Sequence, residues 1–107
     1  MIRETLYLGR NGLIDWLITA GRPAMAYDLD KAGITRAVLK IGDESIDTGT
    51  HDGFTIEAAR VKISDPGKIL PQDLRPDIYP AALIFYSPSY TDGYPWYDDI
   101  EIDVRNV

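Results

Sequence analysis

Apolar and polar residues alternate most cleanly near the end of the chain, where Ile100, Ile102 and Val104 interleave with Asp99, Glu101, Asp103 and Arg105. A period of two places the apolar set on one face of a strand and the charges on the other, so this stretch predicts a half-buried strand. Residues 54–58 alternate in the same way, and Val61, Lys62, Ile63 and Ser64 resume the pattern after Ala59 and Arg60. That interruption predicts a bulge or a very short turn between two strands. Residues 78–86 are apolar throughout and rich in aromatic and branched side chains. They predict a strand buried on both faces, with Pro80 near its start or at a bulge, since proline donates nothing to a ladder.

Two segments fit either period. Residues 13–19 could be a strand with Ile14, Trp16 and Ile18 on one face, or a helix capped by Asn11 and stopped by Gly21 before Pro23; residues 34–41 have the same double character. Branched residues in both, and Gly33 in the second, favour strands. Turn signals at residues 9–12, 21–23, 42–43 and 52–53 recur at the spacing of a small antiparallel sandwich. Residues 65–76 fit no strand, and predict a loop with one helical turn that crosses from one sheet to the other. Six of the seven prolines fall between residues 66 and 95, yet strands resume on both sides, so no domain boundary is expected. The expected core holds Trp16, Val38, Ile56, Ile63, Leu83, Phe85 and Ile102.

Composition agrees with one domain spanning residues 1–107: 107 residues, 45% hydrophobic and 26% charged. Cysteine is absent, which excludes disulfides, thiolate metal sites and cysteine nucleophiles. Eleven basic against seventeen acidic residues give a net charge of -6, a sign that repels phosphate backbones and anionic membrane surfaces. No apolar run approaches the ~20 residues that span a bilayer. Glu4 stands where a signal peptide would be apolar, and the amino terminus reads as that of an intact cytosolic translation product.

Catalytic patterns are weak. His51 is the sole histidine, in a Gly-Thr-His-Asp-Gly turn, so a histidine metal cluster is excluded and a general base beside Asp52 is the most it offers. Ser45, Ser64, Ser87 and Ser89 lack a nucleophile-elbow context, and no glycine-rich phosphate loop is present. Carboxylates cluster at Asp28 with Asp30, at Asp43, Glu44 and Asp47, and at Asp98 with Asp99, without the spacing of a calcium loop. The expectation is a protein that is not an enzyme and holds no cofactor or metal.

The most informative stretch is residues 86–97, where five aromatics crowd twelve positions around a turn. Tyr and Trp combine large rigid contact area with a polar handle. Tyr90, Tyr94, Trp96 and Tyr97 are therefore candidate partner-binding residues. The competing expectation puts Tyr86 and Trp96 in the core, with Tyr90 and Tyr94 covering the end of the sandwich. A second candidate is the amino-terminal strand at residues 4–8, with Leu6 and Tyr7, which could pair with a partner's sheet edge.

One resemblance runs through residues 11–105. Its pieces are Arg22-Pro23, Asp28-Leu29, the run Ala32-Gly33-Ile34-Thr35-Arg36-Ala37-Val38, Asp52-Gly53, Leu70-Pro71 and Ile78-Tyr79-Pro80-Ala81-Ala82-Leu83. In this order they resemble the phage immunoglobulin-like module found at the N-terminus of baseplate upper proteins. The resemblance implies an all-β, immunoglobulin-like antiparallel β-sandwich of about seven strands. It also implies a virion structural protein, an adaptor or accessory subunit of the tail, baseplate or fibre attachment that contacts other virion proteins in many symmetric copies. Baseplate proteins of that kind continue into further domains, whereas this chain ends at Val107, so the module would act alone. Capsid decoration, or binding of a host surface glycan through Tyr90, Tyr94 and Trp96, are the alternatives.

Overall fold

The computed structural model describes residues 2–106. The strands are β1 (Ile2–Tyr7), β2 (Leu13–Leu17), β3 (Thr19–Ala20), β4 (Met25–Ala26), β5 (Arg36–Ile41), β6 (Glu44–Asp47), β7 (Phe54–Glu57), β8 (Arg60–Ser64), β9 (Asp77–Ser87) and β10 (Tyr90–Arg105). A single helical turn, α1 (Pro66–Ile69), lies in the crossing between β8 and β9. Five strands form a sheet in the order β1-β10-β9-β5-β6, three form a second sheet β2-β8-β7, and β3 with β4 makes a small ribbon. The molecule is an all-β sandwich, and both segments with a double reading are strands. It departs from the expected design in two ways: ten strands rather than about seven among the described residues, and one parallel pair, β1 with β10.

Alternation explains the layers. The large sheet turns Leu6, Ala37, Leu39, Ile41, Ile46, Ala81, Leu83, Phe85, Ile100, Ile102 and Val104 inward, against Ile14, Trp16, Phe54, Val61 and Ile63 of the smaller one. Each Val, Leu, Ile or Phe side chain among them contributes roughly 1.5–3 kcal/mol on leaving water, the main driving force for closing the two sheets. Trp16, Ile63, Leu83, Phe85 and Ile102 of the expected core are there. Ile56 packs only partly against it, from the outermost strand of the small sheet. Val38 is buried from the other side, because Ala37 and Leu39 take the inward positions and leave it opposite Ile84 on the outer face. β9 likewise buries one face from Ala81 to Ser87, while Ala82, Ile84 and Tyr86 on its other face stay half-buried, since no second layer among the described residues covers them. The expectation of burial on both faces is corrected accordingly.

The turns follow local chemistry. β7 and β8 join through Ala58 and Ala59, a hairpin with no bulge. Ala58 sits at φ 52, and its conformation is held by Leu29 N–H donating to its carbonyl at 2.9 Å and by its own N–H reaching Asp30 at 3.3 Å. The two sheets are pinned at one edge by the Trp16 indole, which donates to Glu4 of β1 at 2.7 Å.

Candidate functional site

The site begins with β10. Between Tyr90 opposite Ser87 and Val104 opposite Asp77, β10 takes fourteen residue steps against ten on β9. Four extra residues are absorbed at three irregularities, and bulges of this kind re-aim side chains. The first holds Gly93 at φ 91, pressed onto Ile84 and the Tyr86 ring on the outer face. Tyr94 then lies opposite Phe85 and Pro95 opposite Ile84, so Tyr94 is delivered to the core side of the sheet. The second irregularity sets Trp96 and Tyr97 together across from Leu83, which turns two consecutive rings towards the interior.

The hairpin beneath is braced. Ser87, itself buried, accepts the N–H groups of Ser89 and Tyr90 on its hydroxyl at 3.2 Å each. Trp96 is wedged between Tyr27 and Phe85, with ring centroids 4.8 and 5.7 Å away, and Tyr94 lies 6.0 Å from it. Tyr90 stands 5.2 Å from Tyr94. Offset and tilted pairs at these separations add roughly 0.5–1.5 kcal/mol each beyond area burial. The cluster is therefore a fixed surface rather than a set of loose side chains. Tyr90 and Tyr94 stay 50% and 47% exposed, and a pocket of about 140 Å³ opens among Tyr27, Ala32, Ile34, Phe85, Tyr90, Tyr94 and Trp96.

Three of the six candidate contact residues, Tyr90, Tyr94 and Trp96, are brought together here. Tyr97 is not among them: it packs against the core, and its hydroxyl accepts the Thr19 N–H at 3.4 Å, tying β10 to the β3–β4 ribbon. Leu6 is 5% exposed and points into the sandwich from β1, at the edge of the large sheet. Tyr7, on the outward position next to it, is exposed at the opposite end of β10, beside Arg105. Tyr86, which the competing expectation puts in the core, lies instead on the outer face beneath the Arg36 guanidinium, 4.8 Å from the ring centroid. The sequence reading missed Tyr27, Ile34 and Phe85 as pocket walls. Tyr27, an isolated aromatic between the Pro23 turn and Asp28, was the one local signal.

Elsewhere the chemistry is structural. His51 Nδ1 accepts the Asp47 N–H at 3.1 Å and stands 3.0 Å from the Thr50 hydroxyl, so the ring closes the turn between β6 and β7. Arg36 clasps Asp47 with both ends of its guanidinium, and its Nε donates at 2.9 Å. No group of three or more potential metal ligands occurs among the described residues. A shallower depression of about 330 Å³ lies on the outer face, among Ile78, Pro80, Asp98, Asp99, Ile100 and Glu101. It lacks the convergent aromatic walls of the pocket at the hairpin. Compared with known protein families, with characterised proteins and with solved structures, the chain matches none.

Proposed function

We propose that this protein is a contact module, an adaptor or accessory subunit of a phage particle that joins a neighbouring virion protein through the β9–β10 hairpin. The observation that carries the reading is the Tyr90–Tyr94 pair, half exposed on a base already fixed by Trp96, Tyr27 and Phe85. Binding hot spots are enriched in Tyr and Trp, and a surface rigid before docking loses less conformational freedom on association. A net charge of -6 directs such a surface away from nucleic acid and towards protein. The resemblance to the immunoglobulin-like module of baseplate proteins supplies the setting, the tail or baseplate.

The test is the double variant Tyr90→Ala, Tyr94→Ala, followed into purified particles by mass spectrometry. Both side chains are half exposed, so the variant is expected to fold and to lose about 2 kcal/mol or more of association per central anchor, a deficit visible as loss of occupancy. Wild-type occupancy would remove the hairpin from the interface. Absence of the wild-type chain from particles would remove the virion setting.

A further inference from the structure

The aromatic pocket has a composition that selects among ligands. Five of its seven lining residues are aromatic, and none is a lysine or an arginine. Its rings are tilted by 39° to 60° to their neighbours, so they do not stack into one slab. Ring faces carry the negative part of the aromatic quadrupole, and a cation enclosed by several of them is attracted most strongly when it has left water behind. The whole chain adds to this with its charge of -6, and the turn beside Tyr27 carries Asp28 and Asp30 against Lys31. The molecule already contains one such contact on its other face, in Arg36 above Tyr86.

Size narrows the choice. The pocket has a volume of about 140 Å³. That is well below the ~300 Å³ at which whole drug-sized ligands begin to fit, so the pocket suits a head group rather than a sugar chain. We propose that it binds an organic ammonium group, presented in the assembly as a basic side chain, lysine or methylated lysine, of the protein partner. The inference deepens the contact reading by giving the partner a cationic anchor. The acidic surface argues against a phosphate-linked source of the same head group.

The chain provides its own reporter. Trp96 lines the pocket, whereas the Trp16 indole N–H is held by Glu4 at 2.7 Å, so of the two indole cross-peaks in a nitrogen-15 spectrum only one should respond. Choline is titrated as the probe, 3,3-dimethylbutan-1-ol as its neutral isostere, and phosphocholine as the phosphate-linked form. The expected result is a saturable shift of the Trp96 signal with choline, at least tenfold weaker binding of the isostere, and phosphocholine weaker than choline. Tyr94→Phe should keep the response, since it keeps the ring face, and Tyr94→Leu should weaken it tenfold or more. Equal binding of the isostere, or no Trp96 shift with choline, overturns the cation site; tighter phosphocholine binding overturns the protein source. Failure here with Tyr94-dependent assembly intact falls on this inference alone, while a choline response with assembly indifferent to Tyr90 and Tyr94 falls on the adaptor reading.

Discussion

Gly93 and Gly67 show how one missing carbon sets the geometry around it. At Gly93 the backbone has φ 91, and an added Cβ would stand 2.8 Å from the Ile84 side chain and 2.9 Å from the Tyr86 ring. Gly93→Ala is therefore expected to destabilise by about 2 kcal/mol, combining the unfavourable conformation with the overlap, and to lower Tm by roughly 10 °C. At Gly67 a Cβ would fall on the Tyr7 main-chain carbonyl, so Gly67→Ala should be the costlier change, because backbone must move. Thermal melts of the two variants rank them. Asp47 offers a different handle. The Arg36 hydrogen bonds, opposed by partial burial and aided by the Gly49 N–H, hold its carboxyl below the usual carboxylate range. A depressed folded-state value stabilises above the unfolded value, and that contribution disappears as pH falls through the folded one. Asp47→Asn should thus melt below wild type at neutral pH, and the two should converge as pH falls through the depressed folded-state value in melts across a pH series. The difference is modest, since half of the Arg36 side chain is in water.

Strands that alternate were legible because period two is a local property. β8 and the last third of β10 could be read directly, and the hairpin at Ala58 was visible as a gap in the alternation. β10 as a whole was not. Gly93 and Pro95 have the chemistry of a turn, and only the partner strand makes them a bulged continuation of sixteen residues. The site was accordingly half legible: Tyr90, Tyr94 and Trp96 came from one crowded stretch, while Tyr27 and Phe85 join them through contacts that leave no trace in spacing. The inward packing of Tyr97 left no trace for the same reason, since a bulge sends two successive residues to one side. β1 is an edge strand of the large sheet, as its short terminal position suggests, but its inward residue Leu6 belongs to the core. Leu6→Ala should cost about 2–4 kcal/mol in denaturant unfolding while Tyr7→Ala, outward and exposed, should cost under about 1 kcal/mol.

One continuous core joins the sheets, and buried residues from β1, β2, β5, β6, β7, β8, β9 and β10 all belong to it. No layer has an interior of its own. Thermal unfolding should therefore be a single transition, with tryptophan fluorescence and far-ultraviolet circular dichroism giving the same midpoint. Two separated midpoints would mean that the β3–β4 ribbon and the hairpin at Trp96 open ahead of the rest.

The parallel pairing of β1 with β10 sets an order of events during synthesis. Ile2 lies beside Ile100 and Tyr7 beside Arg105, so β1 leaves the ribosome 98 residues ahead of its ladder partners and must wait for β10 to follow. Contacts between residues so far apart in sequence are slow to form, because the loop between them must close first. Until then Leu6 and the open edge of β10 are exposed together, the period in which a nascent chain is most open to misplaced pairing. Nascent chains held short of residue 100 should remain sensitive to protease at residues 2–7, and protection there should arrive last, after the β5–β9 and β2–β8 pairs have formed.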